Sequence, residues 1–239
     1  MKKAFSLIEL VIVIIVIGIL YSSVNYSLAD TSLNQAADQV IYHINYTRHL
    51  AMNDNKMQYY PINSSNVEMN RSKYWFKQWW QIRFGHNTKD KHWWYEIFTD
   101  QPNNAKKVFD GYGNSPKALR NISLAKNPLT GNYLIGNCDK DGYPNCEDAT
   151  INLDLTRKYG IKDIKFTNIY NNRLIFDSFG NIYLREGDQG DDGDVNPYDI
   201  NKRKPLLKTA KITLCKDDNC EKNISICITP KIGTVYLCK

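Results

Sequence analysis

The sequence predicts an α+β fold in which a long N-terminal helix, membrane-spanning in its first half, packs on an antiparallel β-sheet head. Three observations lead there. Residues 5–20 form an apolar run interrupted by one carboxylate, Glu9. From Leu33 onward apolar residues recur at helical spacing, as Leu33, Ala37, Val40, Ile44 and Ala51, while Gln35, Asp38 and Gln39 take the other side. Beyond Met57 the period changes to two, in short runs divided by Gly, Asn, Asp and Pro.

The first element is decided by length and polarity. Roughly 20 helical residues cross the ~30 Å hydrocarbon layer, and residues 5–28 reach that length with Glu9 as their one ionisable side chain apart from tyrosines. Lys2 and Lys3 precede the run and stay cytoplasmic by the positive-inside tendency, which sets the head on the far side of a single-pass chain. The implied divisions are a leader (1–4), a transmembrane helix (5–28), an amphipathic continuation (29–54) and a β-rich head (55–239). A carboxylate in lipid costs about 2.5–3.5 kcal/mol, so Glu9 needs a partner or a task. The competing reading is an ordinary secretory signal: Lys2 and Lys3 as its basic end, residues 5–20 as its apolar core, and cleavage after Ala29. A discarded segment gives Glu9 no purpose.

The head follows as a succession of strands. In KYWFKQWWQIRF one face holds Tyr74, Phe76, Gln78, Trp80, Ile82 and Phe84, the other Trp75, Lys77, Trp79, Gln81 and Arg83. WWYEIFTD follows a polar turn and completes a hairpin. Further strands are expected at INLDLT, IKDIKF, NRLIFDS, NIYLRE, AKITLC, NISICIT and TVYLC. Aromatics interleaved with cations can stack on and neutralise single-stranded nucleic acid, and burial beneath a crossing loop or a neighbouring subunit explains the same pattern. Either way Trp75, Lys77, Trp79 and Arg83 form a candidate contact surface.

All six cysteines, Cys138, Cys146, Cys215, Cys220, Cys227 and Cys238, lie in the second half, an even count that suits disulfides in an oxidising compartment. Six allow more than a dozen connectivities, so no pairing is decided. Cys215 and Cys220 flank a turn, Cys138 and Cys146 bracket DKDGYPN, and Cys227 and Cys238 remain across the last hairpin. The net charge is +6, with a basic surplus from Lys202 to Lys239. Such a surplus is a solvated face or attracts nucleic acid, anionic lipid or an acidic partner.

Two acidic loops carry a cation signal. Asn137, Asp139, Asp141, Tyr143, Asn145 and Asp148, with Gly142 at the sixth position, follow the oxygen spacing of a twelve-residue calcium loop. Asp188, Asp192, Asp194, Asn196 and Asp199 repeat the spacing, except for Gly190 at the third position. Solvated acidic loops would look the same. Calcium is therefore the one candidate cofactor. No Gly-x-Ser-x-Gly elbow, phosphate-binding glycine loop or His pair at ligand spacing occurs, so no enzyme is expected. His43 and His49 read as ordinary helix residues. Acidic-x-Asn-x-Ser stretches at Asn70 and Asn223 fit a bacterial glycosylation pattern.

The start of the chain, a Lys-rich leader, a small residue, Phe, a hydroxyl residue and Leu-Ile-Glu-Leu before the apolar run, resembles the class III signal of type IV prepilins and type II secretion pseudopilins. The resemblance implies cleavage between Ala4 and Phe5 by a prepilin peptidase, methylation of the new amine, and a pairing of Glu9 with that amine on a neighbouring subunit. Ala4 stands where the family usually has Gly. YTRHLAMNDNKMQ, EIFTDQ, RLIFDSFGNIYLRE and ISICITPKIGTVYL are similar to successive blocks of minor pseudopilins of the GspH/FimT type, with Phe176-Asp177-x-x-Gly180 and Pro230-x-x-Gly233 as the most specific turns. Residues 103–160 match poorly and residues 187–205 read as an insertion. What the resemblance implies is a pilin-like subunit of a pseudopilus in protein secretion, pilus assembly or DNA uptake. Its partners would be other pseudopilins or pilins, the peptidase and the inner membrane, with the head in the periplasm. DNA is a further partner through the hairpin holding Lys231 and Lys239, although an arginine-rich tail is absent. The alternative from another class is a secreted, soluble, calcium-dependent binding module released by ordinary signal peptidase.

Overall fold

Helix α1 (Leu7–Asn53, 47 residues) opens the fold. The computed structural model describes residues 7–54, 76, 78–87, 91–99, 123–137, 149–184, 203–230 and 233–238, apart from the side chains of residues 22–30 and 151. Among the described residues no helix is long and apolar enough to cross a membrane. This overturns the membrane-spanning first half expected over residues 5–28, and with it the single-pass inner-membrane placement. Among the residues with described side chains the apolar run covers 7–21 and rises about 22 Å, against the ~30 Å layer. Glu9 also lies within that run.

Two antiparallel sheets form the head. In the first, β1 (Trp80–Asn87) pairs β2 (His92–Thr99) from Trp80↔Thr99 to Asn87↔His92, and β1 also pairs β4 (Arg173–Phe176). With β5 (Ile182–Leu184) and β6 (Lys204–Pro205) the order is β2-β1-β4-β5-β6. The second sheet runs β3 (Asp163–Thr167), β7 (Ala210–Cys215), β8 (Asn223–Ile228) and β9 (Val235–Leu237), in the order β3-β7-β8-β9.

Both sheets turn apolar faces toward α1. Leu33, Ala36, Ala37, Val40, Ile44 and Ala51 join one buried cluster with Ile82, Phe84, Leu174 and Phe176 of the first sheet and Ile212, Leu214, Ile226 and Ile228 of the second. Ala36 and Ala37 have no exposed surface. Their small side chains allow the helix axis to approach the strands closely. A second, smaller cluster of Phe98, Leu124, Ile135 and Ala149 lies apart from the first.

INLDLT, expected as a strand, is helical instead: a 3-10 turn at Ile151–Leu153 followed by α2 (Leu155–Tyr159). The reason is local. Asp154 caps the helix by accepting the Arg157 amide at 2.8 Å, and Gly160, at φ 70°, adopts the left-handed conformation that ends it.

Candidate functional site

The exposed N-terminal stretch of α1 is the most unusual surface among the described residues. From Leu7 to Tyr21 the large apolar side chains are 42–81% exposed, on every face of the helix. Monomeric proteins rarely leave so continuous an apolar surface in water. Glu9 stands in the first helical turn, where a carboxylate also suits the positive end of the helix dipole.

The other half of α1 is fastened to the head by polar contacts as well as burial. Tyr159 donates to Gln39 Oε1 at 2.6 Å, Gln39 Nε2 donates to the Tyr95 hydroxyl at 2.7 Å, and that hydroxyl lies 2.5 Å from His43 Nδ1. The chain is consistent when Tyr95 donates to an unprotonated His43 nitrogen. Burial pushes the imidazole down to about 4, so His43 is neutral in the folded state near neutral pH.

Lower on the helix, Arg48 Nε donates to the Gly180 carbonyl at 3.1 Å. Asp177 builds this turn by accepting the amides of Phe179 and Asn181 at 2.9 and 2.8 Å. Gly180, at φ 76°, would bring a Cβ within 2.8 Å of Arg48 Nε. A Cβ added at Gly233, at φ 66°, would lie 3.1 Å from Ile182 and 3.6 Å from the same Arg48 nitrogen. The two glycine turns singled out in the sequence thus meet at one helix residue. At the helix end, Trp80 Nε1 donates to Asp54 Oδ2 at 2.9 Å.

On the face of the first sheet away from α1, register sets Arg83 opposite Glu96 and opposite Arg173. Arg83 pairs with Glu96, and Arg173 Nη1 donates to Gln81 Oε1 at 2.8 Å. Both guanidiniums lie over the Phe98 ring, at 5.4 and 5.5 Å. Gln81 and Glu96 are fully buried, while the Arg83 side chain keeps 31% of its surface. Segment 124–135 closes this strand edge, with Ile97 accepting from Ala125 and donating to Leu134, both at 2.9 Å. Burial pushes the Glu96 carboxyl up to about 7, against the pull of Arg83 and Arg173.

A raised folded pKa means that the folded state holds the proton more tightly. The contribution is complete below about 4.5 and is lost as pH rises through about 7. Glu96→Gln is therefore expected to gain in melting temperature relative to the parent as pH rises across that window. A constant difference between the two proteins would refute the assignment.

Of the residues named from the sequence, Ala4, Phe5, Trp75, Lys77, Lys231 and Lys239 lie outside the described residues, as do Cys138 and Cys146. So do Asp139, Asp141, Tyr143, Asn145 and Asp148 of the first acidic loop, and Asp188, Asp192, Asp194, Asn196 and Asp199 of the second. Asn137 is described and exposed. Among the described residues no three His, Cys, Asp or Glu side chains come together to hold a metal. Trp79 contacts Tyr183 at 5.1 Å between ring centroids and lines a cavity of about 330 Å³ with Met52, Phe76, Trp80 and Phe176. Arg83 reaches inward to Glu96 instead of standing clear as an open cation. Disulfides join Cys215 to Cys220 and Cys227 to Cys238.

Sequence reading missed the Gln39–His43–Tyr95–Tyr159 chain and the buried Glu96 and Arg173 on either side of Arg83. For His43 a signal existed, since it falls in the apolar stripe between Val40 and Ile44. Glu96 needed the hairpin register, which the long polar turn left open. No protein-family model matches the chain, and neither a curated protein nor a solved structure matches it.

Proposed function

We propose that this chain is a minor pseudopilin: a structural and assembly subunit of a pseudopilus of the type II secretion or type IV pilus kind, without catalysis of its own. One observation carries the reading. A single helix is sunk in its own head from Leu33 onward and clothed in exposed apolar side chains from Leu7 to Tyr21. Burying such a side chain is worth about 1.5–3 kcal/mol. Helix-on-helix packing with neighbouring subunits covers an all-round apolar surface in a way that a single groove does not.

Within this reading the chain is cut between Ala4 and Phe5, and Glu9 pairs with the new amine of an adjoining subunit. The pair sets the stagger between helices, because each charge is costly to bury alone. The head, fastened to α1 through Arg48, His43 and Asp54, presents its surface to other components of the assembly.

Cross-linking tests it. A Val13→Cys chain treated with a short bis-maleimide is expected to give multimers, while Leu129→Cys, on a head residue 93% exposed, gives far fewer. Monomer alone from Val13→Cys, in cells where the machinery is active, would remove the filament reading.

A further inference from the structure

The hairpin joining β7 to β8 carries a motif that assembly does not use. Its sequence is Glu221-Lys222-Asn223-Ile224-Ser225, an acceptor pattern with an acid two residues before the asparagine and a hydroxyl two residues after. We propose that Asn223 is an N-glycosylation site, taking an oligosaccharide from a polyprenyl-diphosphate donor before this hairpin closes.

Three features of the fold support it. Asn223 is exposed at the first position of β8, and Glu221 beside it is also exposed. The Glu221 side chain is not what holds the turn: Asp217 accepts the amides of Glu221 and Lys222 at 2.8 and 2.7 Å, and the Cys215–Cys220 disulfide closes its base. Finally, Asn223 Nδ2 donates to the Cys220 carbonyl at 2.7 Å and more weakly to the Glu221 carbonyl at 3.4 Å. A glycosylated amide keeps one N–H, enough for the shorter bond. The folded hairpin therefore accommodates the product.

The same geometry orders the events. In the closed hairpin Asn223 is registered with Cys215 and Ser225 with Thr213, whose hydroxyls lie 2.9 Å apart. An acceptor segment must be free to bind the transferase through its backbone and the Ser225 hydroxyl, which the ladder prevents. In the transfer, the Asn223 amide nitrogen attacks the anomeric carbon of the donor sugar. The new C–N bond forms as the C–O bond to the diphosphate breaks. The polyprenyl diphosphate leaves with the electron pair, and one amide proton passes to a base on the transferase.

Lys216, next to the disulfide, donates to Ser32 Oγ at 2.5 Å, so this turn sits beside α1 just before the buried stripe that begins at Leu33. A glycan there would flank the start of that stripe. The inference does not depend on the filament reading.

The test is peptide-level mass spectrometry on the full chain, produced in cells with an oligosaccharyltransferase of acidic-sequon specificity and its lipid-linked donor. The parent and Ser225→Thr are expected to carry the glycan at Asn223. Glu221→Gln, Ser225→Ala and Asn223→Gln should lose it, with occupancy down about tenfold or more, and the melting temperature of Glu221→Gln should match the unmodified parent. An unmodified Asn223 beside a fully modified control acceptor overturns the site, as does a glycan confined to Asn70. For the order of events, the purified oxidised chain offered to transferase and donor in vitro should stay unmodified while the reduced, unfolded chain accepts. Equal modification of both would overturn that order.

Discussion

A Glu9→Ala chain is expected to fold its head as the parent does and to lose about a hundredfold or more in filament incorporation. The estimate rests on the cost of breaking a buried ion pair, about 3–5 kcal/mol, with about 1.4 kcal/mol for each factor of ten. A carboxylate in the first turn of a helix gains only about 0.3–1 kcal/mol from the dipole, so a merely local role for Glu9 predicts a loss of less than about tenfold. The measurement is the fraction of chain recovered with sheared filaments, beside the melting temperature of the head. Normal recovery of Glu9→Ala would end the pairing proposal, and a fallen melting temperature would show that Glu9 supports the head instead.

The second large effect is acid sensitivity at the seam between helix and head. His43 is buried, and its folded pKa of about 4 lies below the unfolded value of 6.5. The unfolded chain therefore binds the proton first. The stability that depends on neutral His43 is complete above about 6.5 and is lost as pH falls toward 4. At about 1.36 kcal/mol per unit, the loss amounts to about 3 kcal/mol.

Glu96 tilts the other way over nearly the same window, so the parent protein should show a shallow profile. In a Glu96→Gln background the His43 slope stands alone: unfolding free energy should fall by about 3 kcal/mol between pH 7 and pH 4. Adding His43→Gln, which keeps an acceptor for the Tyr95 hydroxyl, should flatten it. Denaturant titrations at several pH values decide the matter. A slope that survives His43→Gln would place the titrating group elsewhere.

The legible part of the fold was local. Asp154 and Gly160 are a helix start and stop readable in DLTRKYG, yet alternation in INLDLT suggested a strand. Over so few residues the two periods cannot be told apart, and the cap decides. In the Trp-rich hairpin, the alternation of Trp80, Ile82 and Phe84 is buried toward α1. For the opposite face both stacking on nucleic acid and burial stayed open, because its partners are far away in sequence: Glu96 arrives through register and Arg173 from a strand some 90 residues on. Burial of Gln81, where it accepts from Arg173, is a tertiary result as well.

By itself the sequence determined an α+β chain with antiparallel strands and a helix amphipathic from Leu33 onward, and the family resemblance added glycine turns at Gly180 and Gly233. These follow from side-chain period and from backbone angles that few residues but glycine adopt. Tertiary structure decided what those elements face: His43 against Tyr95, and Arg83 against Glu96. Such outcomes depend on register, on distance through space and on what excludes water, and no window of sequence contains them.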